Sequence, residues 1–467
     1  MSSEVLRETR SVCPICQKNI PAFHVREEGG VYLKKHCDEH GDFSCIIWRD
    51  LVSYEDWIAR EAAPDSESGL ECPQNCGLCG NHLNGTCCVL LEVTKRCNLQ
   101  CSFCFAEGGE EGEDIPFEKI VEDIKKLTVK GKTLLQLSGG EPTVRDDLPE
   151  IIRAAKEAGC AYVQLNSNGL RLAAEPGYAQ KLRDAGLSFV FMQFDGISDG
   201  VYETLRGRPL FEIKKKAIEH CGAANLGVTL VPTLVPGLNT GQIGDILNFA
   251  AENSPAVRGV HFQPVSYFGR TPDLPSDDGR FMLDELIHAL YAQSDRLVPE
   301  GSLAPSCCDH ALCGLHGDYI VMPEGNLYAL HLDTAADCCG ADPGDSDCCC
   351  DPAAADRNRE FVARRWQRPD QPDCCCTLAE EDCCCTPTEE PCCGGGEVSP
   401  DDAPKSWDLD EFYDRVRSHG FTISAMAFQD VGNFDIERLR RCSLHVFADG
   451  RHYPFCAYYA LGRGEGR

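Results

Sequence analysis

Eight residues, Cys97-Asn-Leu-Gln-Cys101-Ser-Phe-Cys104, constrain this chain more than any other stretch. They lie just beyond the apolar run Val-Leu-Leu-Glu-Val at 89–93, which reads as a buried strand. Three thiolates at C-x3-C-x2-C spacing on a strand-end loop can hold three corners of a cubic iron–sulfur cluster, leaving one iron without a protein ligand. Clusters that only carry electrons are normally held by four cysteines. An open iron, like the open position of a catalytic metal, points to chemistry on a bound small molecule. A zinc knuckle is the competing reading of the motif taken alone.

The chain has 467 residues, enough for one large catalytic domain with satellites. A net charge of -30 argues against nucleic acid as a partner and leaves no polybasic patch for anionic lipid headgroups. It reads as a solvated acidic surface, suited to a salty cytoplasm. No run of eighteen apolar residues occurs, and the charged start Met1–Glu8 has no apolar signal core. A cytoplasmic protein without a transmembrane segment is expected. The 32 cysteines fall into tight groups, which in so long a chain indicates metal sites in a reducing compartment, not a disulfide scaffold.

The first group is Cys13-Pro-Ile-Cys16 and Cys37-Asp-Glu-His40, separated by a predicted hairpin turning at Gly29-Gly30. A hairpin that joins two ligand pairs makes a closed site for one zinc or iron from Cys13, Cys16, Cys37 and His40. Cys45 could stand in for His40. Residues 1–70 are therefore expected to form a rubredoxin- or zinc-ribbon-like metal domain. Over 71–87, Cys72, Cys76, Cys79 and Cys87 suit a fully ligated auxiliary iron–sulfur cluster, with zinc as the alternative. His82 reads as a neighbour of that site or a surface residue, and Cys88 as a core residue on the opposite strand face.

From residue 88 to about 300, strand-like and helix-like segments alternate. Strands are predicted at 89–93, 133–137, 162–165, 189–194, 228–230 and 260–265. Between the first two, Phe117, Ile120, Val121, Ile124 and Leu127 recur at helical spacing. Six such units predict an α/β fold, a parallel sheet curved into a partial (β/α)6 barrel. Catalytic groups in such folds gather at the C-terminal strand ends. There the sequence places Ser138-Gly139-Gly140-Glu141-Pro142, then Asn166-Ser-Asn168-Gly169, then Gln193-Phe-Asp195-Gly196. Each alone could be an ordinary turn; their order behind the three-cysteine loop gives them weight.

Beyond the barrel, 301–334 contains Cys307-Cys308-Asp-His310-Ala-Leu-Cys313, and 405–467 contains Cys442 and Cys456 around a predicted hairpin at Asp449-Gly450. Cys308, Cys313, Cys442 and Cys456 would supply a second auxiliary cluster, with Cys307 or His310 able to replace one of them. Between these halves, 335–404 is acidic and rich in adjacent cysteines, with few large apolar residues. It reads as a flexible insertion without a core, or as a tethered thiol tail that binds soft metals, delivers sulfur or shuttles electrons.

Cys97, Cys101 and Cys104, followed by Gly139-Gly140-Glu141-Pro142, resemble the core of the radical S-adenosylmethionine (SAM) superfamily. The resemblance implies that SAM chelates the open iron, that Gly139, Gly140 and Glu141 contact its amino group, and that Asn168 and Asp195 lie near its ribose. One electron, from a reductant such as ferredoxin or flavodoxin, would cleave SAM to a 5′-deoxyadenosyl radical that abstracts hydrogen from an unactivated carbon. The wider pattern is similar to the tetraether lipid synthase family: Cys13-Pro-x-Cys16 with Cys37-x-x-His40, the run Cys72 to Cys87, Cys308-x-His-x-x-Cys313, and the ending Cys442 to Cys456. That similarity implies one catalytic and two auxiliary 4Fe-4S clusters, one mononuclear iron or zinc, and carbon–carbon coupling of lipid chains. Modification of a peptide, thiol or small metabolite is the alternative. A non-catalytic electron-transfer or metal-storage protein would leave Gly139-Gly140-Glu141 unexplained.

Overall fold

The computed structural model describes residues 3–59, 61, 71–73, 76–272, 274–294, 298–306, 308–330, 366–369 and 409–462. Four strands, β1 (Glu4–Val12), β2 (Asn19–Glu27), β3 (Gly30–Cys37) and β4 (Gly41–Trp48), form an antiparallel sheet in the order β1-β2-β3-β4. The predicted turn lies between β2 and β3. Gly30 takes φ +137 there, and a Cβ on it would stand 2.1 Å from the Trp48 carbonyl oxygen, so the turn requires glycine.

The predicted alternation is realised as β5 (Cys88–Thr94), β6 (Leu134–Gly139), β7 (Tyr162–Ser167), β8 (Phe189–Gln193), β9 (Gly227–Val231), the short β10 (Thr233–Leu234) and β11 (Val257–Pro264). Strands β5 to β9 and β11 are parallel neighbours in chain order. The helix Phe117–Leu127 turns Ile120, Ile124 and Leu127 inward, where they join Leu91, Leu135 and Leu137 in one buried core. Each fully buried side chain of this size contributes ~1.5–3 kcal/mol relative to exposure.

The C-terminal part adds β12 (Ala304–Pro305), β13 (Gly314–Val321), β14 (Leu327–Ala329), β15 (Gly420–Met426), β16 (Leu444–Ala448) and β17 (Arg451–Pro454). These do not stand apart as the sequence suggests. β15 pairs parallel with β11 at one edge of the barrel sheet and β16 pairs parallel with β5 at the other. The order is β12-β13-β15-β11-β9-β8-β7-β6-β5-β16-β17. The C-terminal segment therefore covers both edges that a six-stranded partial barrel would expose, which removes the pairing hazard of open edges. It also brings Cys442 and Cys456 next to β5 and the catalytic loop. No helix among the described residues is long and apolar enough to cross a membrane.

Most of the 335–404 insertion, with all its cysteines, lies outside the described residues, as does Cys307. Residues 366–369 are described, and they dock on the barrel. Trp366 packs on Phe189 and Phe191 at ring-centroid separations of 5.5 and 4.7 Å, and its indole donates to Thr422 Oγ1 at 2.7 Å. Trp366 is one of the few large apolar residues in a mostly polar stretch, and that was the available signal.

Candidate active site

The loop after β5 carries Cys97, Cys101 and Cys104, and all three line one cavity of about 190 Å³ with Ser138, Gly139, Gly140 and Glu141. The loop is held by its backbone: Cys97 N donates to Gly109 O, and Cys104 and Arg270 exchange two main-chain bonds of 2.9 and 3.0 Å. The Arg270 side chain adds bonds to the carbonyls of Cys101 (2.9 Å) and Gly108 (2.8 Å). Gly139 and Gly140 are forced by close approach. A Cβ on Gly139 would lie 2.2 Å from Thr94 O, and one on Gly140 2.1 Å from Arg96 O. The two strand ends can thus converge on the loop only without side chains there.

Glu141 is 1% exposed and accepts four hydrogen bonds, from Thr143 N (3.1 Å), Thr143 Oγ1 (2.6 Å), Ser167 Oγ (2.8 Å) and Asn168 N (2.6 Å). It lines the cavity, and its carboxylate also ties the end of β6 to that of β7. Asn168 lines the cavity as well; its amide donates to Asn98 Oδ1 at 2.7 Å, joining the β7 end to the cysteine loop.

Asp195 is placed differently from the expected ribose contact. It is fully buried, and its two carboxylate oxygens each meet an Arg206 nitrogen at 2.7 Å, with Thr233 N donating at 3.1 Å. Arg206, not Asp195, faces the cavity, beside Cys101 on its wall. Burial works against the Arg206 charge, and the Asp195 carboxylate more than offsets it, so the guanidinium is held cationic. Beneath it Lys214, fully buried, donates to Asn168 O (2.6 Å) and Gln193 Oε1 (2.7 Å); burial pushes its ammonium down to about 7. Neither cation has a local sequence signature, because each acts through a contact between distant segments.

The cavity lining holds three thiols and no imidazole, so the donor set fits a cluster with one iron free for a small ligand. Burial pushes the Cys97 thiol up to about 12, and its neighbours Glu141, Cys101 and Cys104 push the same way, so iron charge is what would make it a thiolate.

A second cavity, about 200 Å³, fills the barrel lumen and shares Phe105, Asn166, Phe191 and Gln263 with the first. Every long strand of the barrel sheet except β9 contributes to its wall, which shows the sheet curving around it. Gln136, Gln164, Asn166, His261, Gln263 and His316 give the wall hydrogen-bonding groups, and Phe191 and Trp366 give it aromatic faces. Burial lowers His261 to about 4, so its ring is neutral, and Nδ1 lies 2.9 Å from Ser424 Oγ. The sequence did carry this signal: Leu-Leu-Gln136-Leu and Val-Gln164-Leu-Asn166 interrupt apolar strands with amides at inward alternate positions.

At the far end of the lumen, the cysteines regroup relative to the sequence expectation. Cys87 and Cys308 are neighbours, and both line the lumen. Cys88 joins them on the lumen wall, accepting from Gln136 Nε2 at 3.3 Å, and is not a core residue. Cys313, Cys442 and Cys456 surround a separate pocket with Asp309. There Arg438 Nε donates to Cys313 Sγ (3.4 Å) and Gln429 N to Cys456 Sγ (3.3 Å). His310 accepts from Leu312 N and faces Glu61. Cys72 is buried near Cys79, which is exposed, and Cys76 is half-buried. His82 Nε2 donates to Cys442 O at 2.7 Å, as a neighbour of the cysteines.

In the N-terminal sheet, the ligand atoms of Cys13, Cys16, Cys37 and His40 all lie within 4.8 Å of one another. Cys16 Sγ and Cys37 Sγ are 3.9 Å apart, and His40 Nδ1 lies 3.6 Å from Cys13 Sγ and 3.4 Å from Cys37 Sγ. A tetrahedral zinc with Zn–S near 2.3 Å requires sulfurs about 3.8 Å apart. Cys45 points elsewhere, into a buried group with Lys35, Arg280 and Asp430.

Residues 91–250 match the radical SAM superfamily, and residues 5–49 match the HMPTM N-terminal zinc ribbon domain. A 7,8-dihydro-6-hydroxymethylpterin dimethyltransferase of Methanocaldococcus jannaschii is 33% identical, with 98% of this chain and 94% of that protein aligned. A probable GTP 3′,8-cyclase of Methanococcus maripaludis is 31% identical over 38% of this chain and 58% of its own length. Among solved structures, Streptococcus suis SuiB bound to precursor peptide SuiA matches with TM-score 0.38 and 17% identity, over 46% of this chain and 47% of that one. The full-length relative is thus a pterin methyltransferase and not a tetraether lipid synthase. The chain is a radical SAM enzyme and belongs to the family of the M. jannaschii 7,8-dihydro-6-hydroxymethylpterin dimethyltransferase.

Proposed function

We propose that this enzyme abstracts hydrogen from a small planar heterocycle of the pterin kind and joins to that carbon a one-carbon unit taken from a donor such as the methyl group of a second SAM. The observation that carries the reading is the lumen wall: amides and the imidazoles of His261 and His316 between aromatic rings, contiguous with the cavity of Cys97, Cys101 and Cys104. A pterin ring presents fused donor and acceptor edges and a flat π-face, which such a wall can satisfy. An alkyl chain would leave Gln164 Oε1, buried and without a partner among the described residues, unpaired at a cost of about 1–3 kcal/mol. The full-length relative's pterin substrate agrees with this reading.

When bound, the cluster would pass one electron to SAM and release methionine and a 5′-deoxyadenosyl radical. The chain's own residues do the rest. Arg270 and Asn168 fix the cysteine loop, Glu141 locks two strand ends together, and Arg206 places a positive charge on the cavity wall that also carries Cys101. The enclosed lumen orients the substrate so that one C–H faces the shared boundary at Asn166 and Gln263, and it keeps water from the carbon radical left when a hydrogen atom moves to the 5′-deoxyadenosyl radical, giving 5′-deoxyadenosine. We assign Cys13, Cys16, Cys37 and His40 to one zinc. We assign auxiliary clusters to Cys72, Cys76, Cys79 and Cys87 with Cys308, and to Cys313, Cys442 and Cys456.

Lipid-chain coupling is the second reading. It is favoured by the aromatic shell of Phe105, Phe268, Phe428, Phe455 and Tyr459 beside the lumen. Incubating the reduced, reconstituted enzyme with SAM and either 7,8-dihydro-6-hydroxymethylpterin or a long-chain lipid, followed by mass spectrometry, separates the two. Added carbon on the pterin supports the proposal. Lipid consumption with the pterin untouched overturns it.

A further inference from the structure

We propose that a groove on the outer side of the catalytic loop is the docking site of the one-electron donor, a small acidic ferredoxin. The inference rests on the radical SAM reading, since reductive cleavage of SAM needs an electron from outside. The groove has a volume of about 760 Å³ and lies between the helices Leu170–Ala174 and Phe211–Ala223. Asn98, inside the cysteine loop, forms part of its wall.

Two observations single it out. The first is proximity: Leu170 and Ile213 line the groove and also belong to the cluster of side chains packed with Leu99, Cys97 and Cys101. One layer of side chains separates the groove from two ligands of the catalytic cluster. The second is charge. The rim carries Arg171, Arg208, Lys216 and Glu212. Arg171 is matched by Glu175 and Asp146, and Glu212 by Lys215. The rim cations outside these pairs are Arg208 and Lys216, both exposed. On a chain of net charge -30, an acidic partner is repelled at long range, so a local cationic rim around an apolar floor decides where it can dock. A small floor with a charged rim also suits the short-lived, small interfaces of redox encounters. The step balances simply: the ferredoxin is oxidised by one electron and the catalytic cluster is reduced by one.

The test uses the reconstituted full-length enzyme and the double variant R208E/K216E, two exposed positions away from the SAM cavity. Reduction of the catalytic cluster is followed by freeze-quench electron paramagnetic resonance, read from the signal that changes when SAM binds. One arm uses dithionite and the other a reduced acidic 4Fe-4S ferredoxin. The expected result is an unchanged dithionite rate, with the second-order ferredoxin rate constant lowered about tenfold or more at low salt. Raising the ionic strength should narrow the gap between the wild-type and variant ferredoxin rates, because the rim attraction is screened. Equal ferredoxin rates and equal salt dependence would overturn the docking site. So would a wild-type dimer in sedimentation that the variant abolishes, which would assign the groove to self-association. If dithionite fails to produce a SAM-sensitive signal in the wild type, the enzyme reading itself falls, and that outcome is distinct from the others.

Discussion

Replacing Arg206 by Met should be among the most damaging single changes outside the cysteines, and its cost follows from the structure. Arg206 and Asp195 are 6% and 0% exposed at their side chains and share two hydrogen bonds of 2.7 Å. Water and salt therefore screen the pair little. R206M leaves a buried carboxylate with the Thr233 N–H and the Gln193 amide as its partners. Breaking one side of such a pair costs about 3–5 kcal/mol. In D195N/R206M both charges are gone, and the loss reduces to neutral hydrogen bonds of about 1 kcal/mol each. The double variant should thus be more stable than R206M alone, and the cycle should show a coupling of about 2 kcal/mol or more. R206K keeps the charge but loses the two-pronged geometry, so it should fall between R206M and wild type. The assay is anaerobic urea unfolding of reconstituted wild type, R206M, D195N, D195N/R206M and R206K, compared by transition midpoint at constant slope. A coupling below about 0.5 kcal/mol would refute the reasoning, because it would mean that Asp195 does not depend on the arginine.

Further outcomes concern the metal domain and pH. Cys13→Ala should lower zinc content by one ion per chain, measured by elemental analysis, whereas Cys45→Ser should leave it unchanged; equal zinc in both variants would contradict the four-ligand assignment. Lys214 and Lys35 are buried, and burial lowers them from 10.5 to about 7 and about 8. The unfolded chain therefore binds more protons above these values, and each group makes stability rise with pH, by up to about 1.4 kcal/mol per unit, from its folded pKa toward 10.5. Denaturant midpoints between pH 7.5 and 9.5 should rise less in Lys214→Met than in wild type, and an identical pH slope would contradict the burial account.

What could be read from sequence was what short-range pattern determines. The C-x3-C-x2-C loop, the Gly139-Gly140-Glu141 strand end and the apolar strands are contiguous, so spacing and period reveal them. The N-terminal ligand set was legible because one hairpin brings its two pairs together. The partners of Asp195 and Cys308 were not, since Arg206 and Cys87 reach them from separate elements and no local pattern records such contacts. The C-terminal strands were misjudged for a related reason. The hairpin at Asp449-Gly450 is present as β16 and β17, but no strand is predicted at β15, and the joining of β15 and β16 to the barrel sheet depends on edges that exist only in the folded barrel. The lumen amides were visible as polar residues in apolar strands, yet their convergence depends on sheet curvature.

The central claim is that Cys97, Cys101 and Cys104 hold a cluster that cleaves SAM reductively. Anaerobic reconstitution with iron and sulfide, followed by dithionite and SAM, tests it in one chromatogram. The account predicts 5′-deoxyadenosine from the wild type and none from the Cys97/Cys101/Cys104→Ala protein. Wild-type protein that carries its full iron and sulfide complement yet yields no 5′-deoxyadenosine would contradict it.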